Sequence, residues 1–429
     1  MDNTTILIVG AGIFGVSTAY HLAQQVANPS CIILLDRAAP PSNILGASAD
    51  INKIIRADYS SQLYMELGFE AIEAWKNLPL FQDVGVYHQS GWIAMDEKGS
   101  DVPQRIRENF RKGNHDSVIV DMSEEEVRKA WGSVLERTDC TPFGSYYFNQ
   151  SAGWVDAGKA LLAMLQEAIK LGIRYETGEA RRVIARETGG VQGVETEAGT
   201  VLWADKVLLA TGAWTSKLMS PLEDLLAMPH GDRVEQQATA AGVCVAHFQL
   251  TDAERGLYSK LPVLVYGGQG EVIPPTSGVL KFTSTTSVKN TTQTAAGHGI
   301  SVPAEDQFFA PIGLQQDIIS SIRARLPQFL DNGRKPDYYR LCWDSISSNQ
   351  HPLITQHPDS RLENLYLAVG GSFHFYKFLP TIGKYVIKVL QGTGNGSEKD
   401  KTWSWKPAGA SEQGVHESLA PKREFKDFL

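Results

Sequence analysis

The chain has 429 residues, 42% of them hydrophobic and 21% charged, with a formal net charge of −8. This is the profile of a water-soluble globular enzyme with two or three domains or one intertwined pair, and its acidic balance argues against nucleic acid, whose phosphates call for a basic face. No apolar run reaches the roughly 18 residues of a membrane span, and the four cysteines, Cys31, Cys140, Cys244 and Cys342, lack Cys-x-x-Cys spacing, so neither a zinc site nor a disulfide framework is expected.

Residues 4–9 form a short β-branched apolar run that reads as a buried parallel strand rather than a secretory signal. Gly10-Ala-Gly12-Ile-Phe-Gly15 follows at once. A helical pattern then runs to about Gln25, and a second buried strand, residues 31–35, ends at Asp36. Residues 60–77, 122–132, 156–171, 313–326 and 381–391 carry helical periodicity. Residues 84–96, 172–212 and 233–285 read as strands and turns, and 365–370 as another buried strand before a glycine pair. The segment from Gly392 to about Ala420 is polar and Gly/Ser/Lys-rich, and residues 396–429 are expected to form an irregular tail. The terminal Lys-Asp-Phe-Leu is not a Ser-Lys-Leu-type peroxisomal address, so a cytoplasmic location is expected.

Gly10, Gly12 and Gly15 make G-x-G-x-x-G in its required context, with a strand before, a helix after, and an acid 21 residues beyond Gly15. Gly10 permits the tight turn, Gly12 lets the backbone approach a pyrophosphate at the helix N-terminus, and Gly15 lets helix and sheet pack closely. Asp36 would accept hydrogen bonds from the adenosine ribose. Regular β-α-β units do not continue after Asp36, and the late strand Lys206-Val-Leu-Leu-Ala-Thr-Gly212 favours a flavin dinucleotide over a nicotinamide one.

Five segments carry a family resemblance: residues 6–15; Asp50-Ile-Asn-Lys-Ile-Ile-Arg56; residues 207–212; Leu341-Cys-Trp343; and Gly370-Gly-Ser-Phe-His-Phe-Tyr-Lys-Phe-Leu-Pro380 with Ile382-Gly383. Across roughly residues 5–390 the chain resembles the sarcosine oxidase and fructosyl amino acid oxidase (amadoriase) family of flavin amine oxidases, and within it the fungal saccharopine-oxidase-like and fructosyl-amine-oxidase-like members. The resemblance implies an α/β fold. A discontinuous Rossmann-type FAD-binding domain (1–85, 150–220 and 335–395) joins a mixed-sheet α+β substrate domain (86–149 and 221–334).

It also implies site residues. Cys342 matches the cysteine bonded to the flavin 8α-methyl group, although a cysteine after such a strand is by itself more often a small buried hydrophobe. Lys281 matches the lysine near flavin N5 that favours electron transfer to O2. Lys53 lies near the ring, and Arg56 and Lys377 clamp a substrate carboxylate, with Lys377 also beside the cofactor. Phe373, His374 and Tyr376 form an aromatic wall for the substrate. Two departures leave the substrate open: the amadoriase loop arginine is replaced within Phe373-His-Phe-Tyr376, and Thr285 stands where sarcosine oxidases have histidine.

The implied activity is oxidation of secondary amines or N-substituted amino acids by a covalent-FAD monomer. O2 is reduced to H2O2, and the imine product hydrolyses or cyclises. No metal, membrane or nucleic acid takes part. The alternatives are an alkaloid-pathway oxidase that uses the imine for ring closure, a dehydrogenase with another electron acceptor, and a flavin-binding protein without turnover.

Overall fold

Two large sheets dominate the computed structural model, which describes residues 4–40, 46–407 and 423–429. The first has six strands in the order Leu353–Gln356, Leu365–Val369, Lys206–Leu209, Ile6–Val9, Ile32–Asp36 and Arg174–Thr177. All neighbours run parallel except the edge strand Leu353–Gln356. The unbroken apolar run of Ile6–Val9 is explained by burial on both faces. Ile6 and Ile8 face a core shared with the helices Ile13–Ala23, Ala157–Lys170 and Ile382–Leu390. Leu7 and Val9 face a core capped by the antiparallel strands Ala180–Ala185, Val191–Thr196 and Val201–Trp203. A Cβ on Gly383 would stand 2.2 Å from the Ser17 carbonyl oxygen, so this glycine lets the closing helix lie directly on the helix of the glycine motif.

The second sheet runs Tyr338–Ile346, Thr239–Gln249, Val279–Lys289, Glu271–Thr276, Val263–Tyr266, Trp92–Glu97, Phe143–Asn149 and Ile119–Asp121. Its period-two alternation sorts side chains onto two faces. Ile93, Leu264, Val272, Leu280, Phe282 and Leu341 pack under the helix Ile312–Arg325. The intervening residues Trp92, Val265, Glu271, Ile273, Lys281 and Cys342 line a cavity on the opposite face. The mixed α/β class expected from the sequence is the one observed.

Two expectations need correction. The strand Tyr338–Ile346 falls within residues 335–395, expected in the cofactor domain, but it pairs along its whole length with Thr239–Gln249 at the edge of the second sheet. Its apolar content is legible in sequence; its partner is not, because pairing is a long-range choice. The tail is expected to be irregular from residue 396, yet Ser397–Trp403 is helical and Trp403 is 1% exposed. Its indole N–H donates to the Tyr64 hydroxyl at 3.2 Å. Residues Arg423–Glu424 add a short parallel strand beside Val279–Lys289, and Phe428 is buried. The rest of the tail lies outside the described residues. One buried aromatic barely alters the composition of a polar segment, so anchors of this kind are hidden from the sequence.

Because Trp403 is fully enclosed, Trp403→Ala is expected to cost about 3–5 kcal/mol, the usual range for truncating a buried large aromatic. Chemical denaturation with the flavin bound measures it, and a loss below about 1 kcal/mol would mean that the helix merely rests on the surface.

Candidate active site

A groove crosses the ends of the first sheet from Asp36, past Gly10 and Gly12, to Gly370, Gly371 and Cys342. Gly10 takes φ +104°, and a Cβ there would meet the Ala210 carbonyl oxygen at 2.5 Å. On Gly15 a Cβ would lie 1.9 Å from the Gly10 carbonyl oxygen. A Cβ on Gly12 would meet only Ser48 Oγ, at 3.4 Å, so it would project into the groove itself. The helix Ile13–Ala23 has no acidic residue in its first turn and no side-chain cap from Gly12; its positive end is left for a ligand anion. Asp36 is buried, and its carboxylate accepts the Ala11 N–H at 2.7 Å and the Ala38 N–H at 3.2 Å. Burial raises its pKa against those hydrogen bonds. Glycine loop, open helix end and carboxylate together suit the ribose and pyrophosphate of a dinucleotide.

Cys342 sits where this groove meets the second cavity and lines both. It is 3% exposed, and Lys53 Nζ lies 4.0 Å from its sulfur. The most constrained feature of the second cavity is Asp50. One Asp50 oxygen accepts from Lys281 Nζ at 2.9 Å and meets Lys53 Nζ at 3.0 Å. Lys281 also donates to the Asn52 carbonyl at 2.7 Å. Burial alone would raise the Asp50 carboxyl, but the Lys281 and Lys53 ammonium groups and Arg340 hold it well below the usual carboxylate range. Burial depresses Lys281, and Lys53 adds to the effect. For Lys53 burial disfavours the ammonium form and the Asp50 carboxylate beside it favours that form.

Across the cavity stand Arg56 and Lys377. The Arg56 guanidinium lies between the rings of Tyr59 and Trp92, 4.7 Å from each centroid, and donates to the Asp58 carbonyl. Lys377 is 4% exposed and donates to the Tyr59 hydroxyl at 2.8 Å and the His374 carbonyl at 2.5 Å. Burial, followed by the Arg56 charge, lowers its pKa well below the ordinary lysine value. No carboxylate among the described residues lies within ion-pair distance of Lys377. Arg56 and Lys377, brought together from opposite ends of the sequence, therefore face the same space, where a bound anion would favour the charged form of Lys377.

A family model for FAD dependent oxidoreductases, DAO, matches residues 5–389. The chain belongs to this family. An L-saccharopine oxidase of Schizosaccharomyces pombe is 29% identical over 94% of this chain and 93% of its own length. A monomeric sarcosine oxidase of a Bacillus species is 24% identical over 91% and 92%. Among solved structures, a modified fructosyl peptide oxidase from Aspergillus nidulans superposes with a TM-score of 0.86 at 29% identity, covering 100% of this chain and 99% of that one. FAD is therefore the dinucleotide of this DAO oxidoreductase, and the groove described above fits it.

The structure brings the sequence-selected residues of this DAO chain to two adjoining places. Gly10, Gly12 and Asp36 line the groove, and Gly15 packs behind it. Cys342, Lys53, Phe373 and Tyr376 line both cavities, while Arg56, Lys281, His374 and Lys377 line the second alone. Lys377 thus lines the second cavity and not the cofactor groove. The proposed aromatic wall is more structural than expected. His374 Nδ1 meets the Tyr59 hydroxyl at 3.0 Å and Nε2 meets the Gln350 carbonyl at 2.9 Å, so both ring nitrogens are engaged. The Tyr376 hydroxyl donates to the Ala157 carbonyl at 2.5 Å. Phe373, at φ +61° after Ser372 at +48°, stays partly open to both cavities; its N–H is held by Asp344 at 2.8 Å. Three residues of the site carry no sequence signal of their own: Tyr59, Glu271 and Asp50, the last although it opens the Asp50–Arg56 motif.

Asp50→Asn would leave two enclosed ammonium groups without their counter-charge. A loss of about 3–5 kcal/mol is expected, read as the difference in denaturant midpoint stability between the flavoproteins. The Asp50 pKa is depressed on folding, so the difference should be full above about pH 4 and shrink as pH falls below it toward the folded value.

Proposed function

We propose that this chain is an amine oxidase acting on secondary amines that carry a carboxylate, such as N-substituted amino acids. The observation that carries this reading is the convergence of Arg56 and Lys377, without an acidic partner for Lys377, on a cavity that adjoins the flavin groove at Cys342. A buried carboxylate loses its hydration and needs charge-assisted partners. Arg56 offers a two-pronged guanidinium and Lys377 a point charge. The relatives named as saccharopine, sarcosine and fructosyl peptide oxidases support the same substrate class.

Bound FAD supplies the hydride acceptor and, once reduced, the electrons for O2. The protein supplies orientation and charge. Arg56 and Lys377 hold the carboxylate, and Phe373 shapes the wall between the two cavities. Lys281, fixed by Asp50, keeps a positive charge where negative charge develops as O2 is reduced. The imine product leaves and hydrolyses in water. Cys342 is assigned the thioether to the cofactor: its sulfur is buried at the junction of the two cavities, 4.0 Å from Lys53 Nζ. An oxidase is favoured over a passive flavin-binding protein because passive binding needs neither the clamp nor a buried, carboxylate-held lysine.

Anaerobic addition of an N-substituted amino acid should bleach the yellow protein, and admitting air should restore the colour with formation of H2O2. Failure of every secondary amine to bleach it would overturn the reading. Arg56→Ala or Lys377→Ala should weaken carboxylate-bearing substrates by about 2–5 kcal/mol and leave a carboxylate-free amine nearly unaffected. For the covalent bond, acid precipitation should leave the colour on the wild-type polypeptide and release it from Cys342→Ala; quantitative free FAD from the wild type contradicts the thioether.

A further inference from the structure

The cofactor groove holds a carboxylate that neither the Asp50 bridge nor the Arg56–Lys377 pair uses. Asp344 lies two residues beyond Cys342 on the strand Tyr338–Ile346, so the pleat turns both side chains to the same face, and both line the groove. Asp36 suits the ribose and the open helix end the pyrophosphate. Cys342, Asp344, Gly370 and Gly371 are then left at the ring end of the dinucleotide.

Two backbone donors fix this carboxylate. Asp344 Oδ2 accepts the Phe373 N–H at 2.8 Å, and Oδ1 accepts the Ser345 N–H at 2.8 Å. A Cβ on Gly371 would stand 3.1 Å from Oδ2 and 3.3 Å from Oδ1, so this glycine lets the loop lie directly on the carboxylate. The Ser372 N–H ties the loop to the strand again, donating to the Ser345 carbonyl at 2.9 Å. Ser372 and Phe373 are successive non-glycine residues in the left-handed region, at φ +48° and +61°. That conformation costs energy and persists only where its surroundings impose it. Asp344 imposes it at Phe373, which borders both cavities.

The same hydrogen bonds favour the ionised form. Each Asp344 oxygen meets an N–H, and no group among the described residues stands ready to accept a carboxyl proton. Burial raises its pKa, while the Phe373 and Ser345 N–H groups and the Lys53 charge oppose the rise. No cation among the described residues lies within 4.0 Å to neutralise it. The ring end of the groove therefore carries an unneutralised negative charge in its wall.

We propose that Asp344 is a positioning and tuning residue for the flavin: it holds the Ser372–Phe373 turn at the ring end of the groove, and its fixed negative charge lowers the reduction potential of the bound cofactor. Reduction adds negative charge to the ring, which a nearby carboxylate opposes, and water screens the pair little inside the protein. A lower potential makes the reduced cofactor a stronger reductant toward O2. Asp344 and the two lysines on Asp50 thus act on the cofactor in opposite senses. The proposal requires bound FAD and is independent of which substrate is oxidised.

The test is the midpoint potential of the Asp344→Asn flavoprotein, read by equilibration with a reference dye during chemical reduction. Asn keeps the shape and can still accept the Phe373 N–H, but it is neutral. The potential should rise by about 30 mV or more, a tenfold shift in the two-electron equilibrium. Sulfite, whose addition to a flavin also leaves negative charge on the ring, should bleach the variant with a Kd about tenfold or more below that of wild type, the same shift seen in binding. If Asp344→Asn does not fold with its flavin, Asp344→Ser, neutral and still an acceptor for the Phe373 N–H, carries both measurements. A neutral variant that loses stability but keeps the wild-type potential and sulfite affinity overturns the proposal and leaves Asp344 a loop anchor alone. A fall in potential overturns it as well.

Discussion

A single buried carboxylate organises the reacting end of this molecule. Asp50 holds Lys281 at 2.9 Å and Lys53 at 3.0 Å, and the three come from the loop after the first βαβ unit and from the middle of the second sheet. Two like charges so close repel strongly at low dielectric, and neither would remain protonated in an apolar enclosure without an anion between them. The Asp50 bridge fixes the lysines relative to each other and ties the short strand Lys53–Ile55 to the second sheet. Arg340 extends the same arrangement by donating to the Ala49 carbonyl at 2.7 Å and the Gly46 carbonyl at 3.1 Å. The segment that carries Asp50, Lys53 and Arg56 is thereby held over the strand that carries Cys342.

The second sheet shows how a period of two divides structure from chemistry. One face is filled by Val272, Leu280, Phe282 and Leu341 against the helix Ile312–Arg325. The other turns Glu271, Lys281 and Cys342 to the second cavity. Each functional side chain is flanked in sequence by buried apolar residues that fix its direction, which is how a strand places charge without loosening its own packing. The cost of desolvating the two lysines is offset by Asp50 between them.

The cofactor end is legible in sequence because its determinants are local. The glycine spacing, the apolar strand before it and Asp36 after it all act within one βαβ unit, and the structure shows the steric reasons at Gly10 and Gly15. Lys281 and Lys377 are recognisable only through family resemblance. In isolation a lysine in an alternating strand, or one after a glycine pair, fits a surface as well as a site. What the sequence hides is long-range. Asp50 gains its importance from a lysine 231 residues away, and the place of Tyr338–Ile346 in the second sheet depends on pairing with a strand about 100 residues earlier. Glu271 and the tail anchors Trp403 and Phe428 are hidden for a related reason: each is one residue whose role depends on what packs beside it.

Lys281 is read here as a fixed cation that assists O2 rather than a lysine that merely completes an ion pair. Stopped-flow mixing of the pre-reduced Lys281→Met flavoprotein with O2 tests this most directly, alongside its anaerobic reduction by substrate amine. Reoxidation should be slower by about 10²–10³-fold, the usual worth of one preorganised charge, with anaerobic reduction changed far less. Reoxidation within about twofold of wild type, against that expected scale, would contradict it.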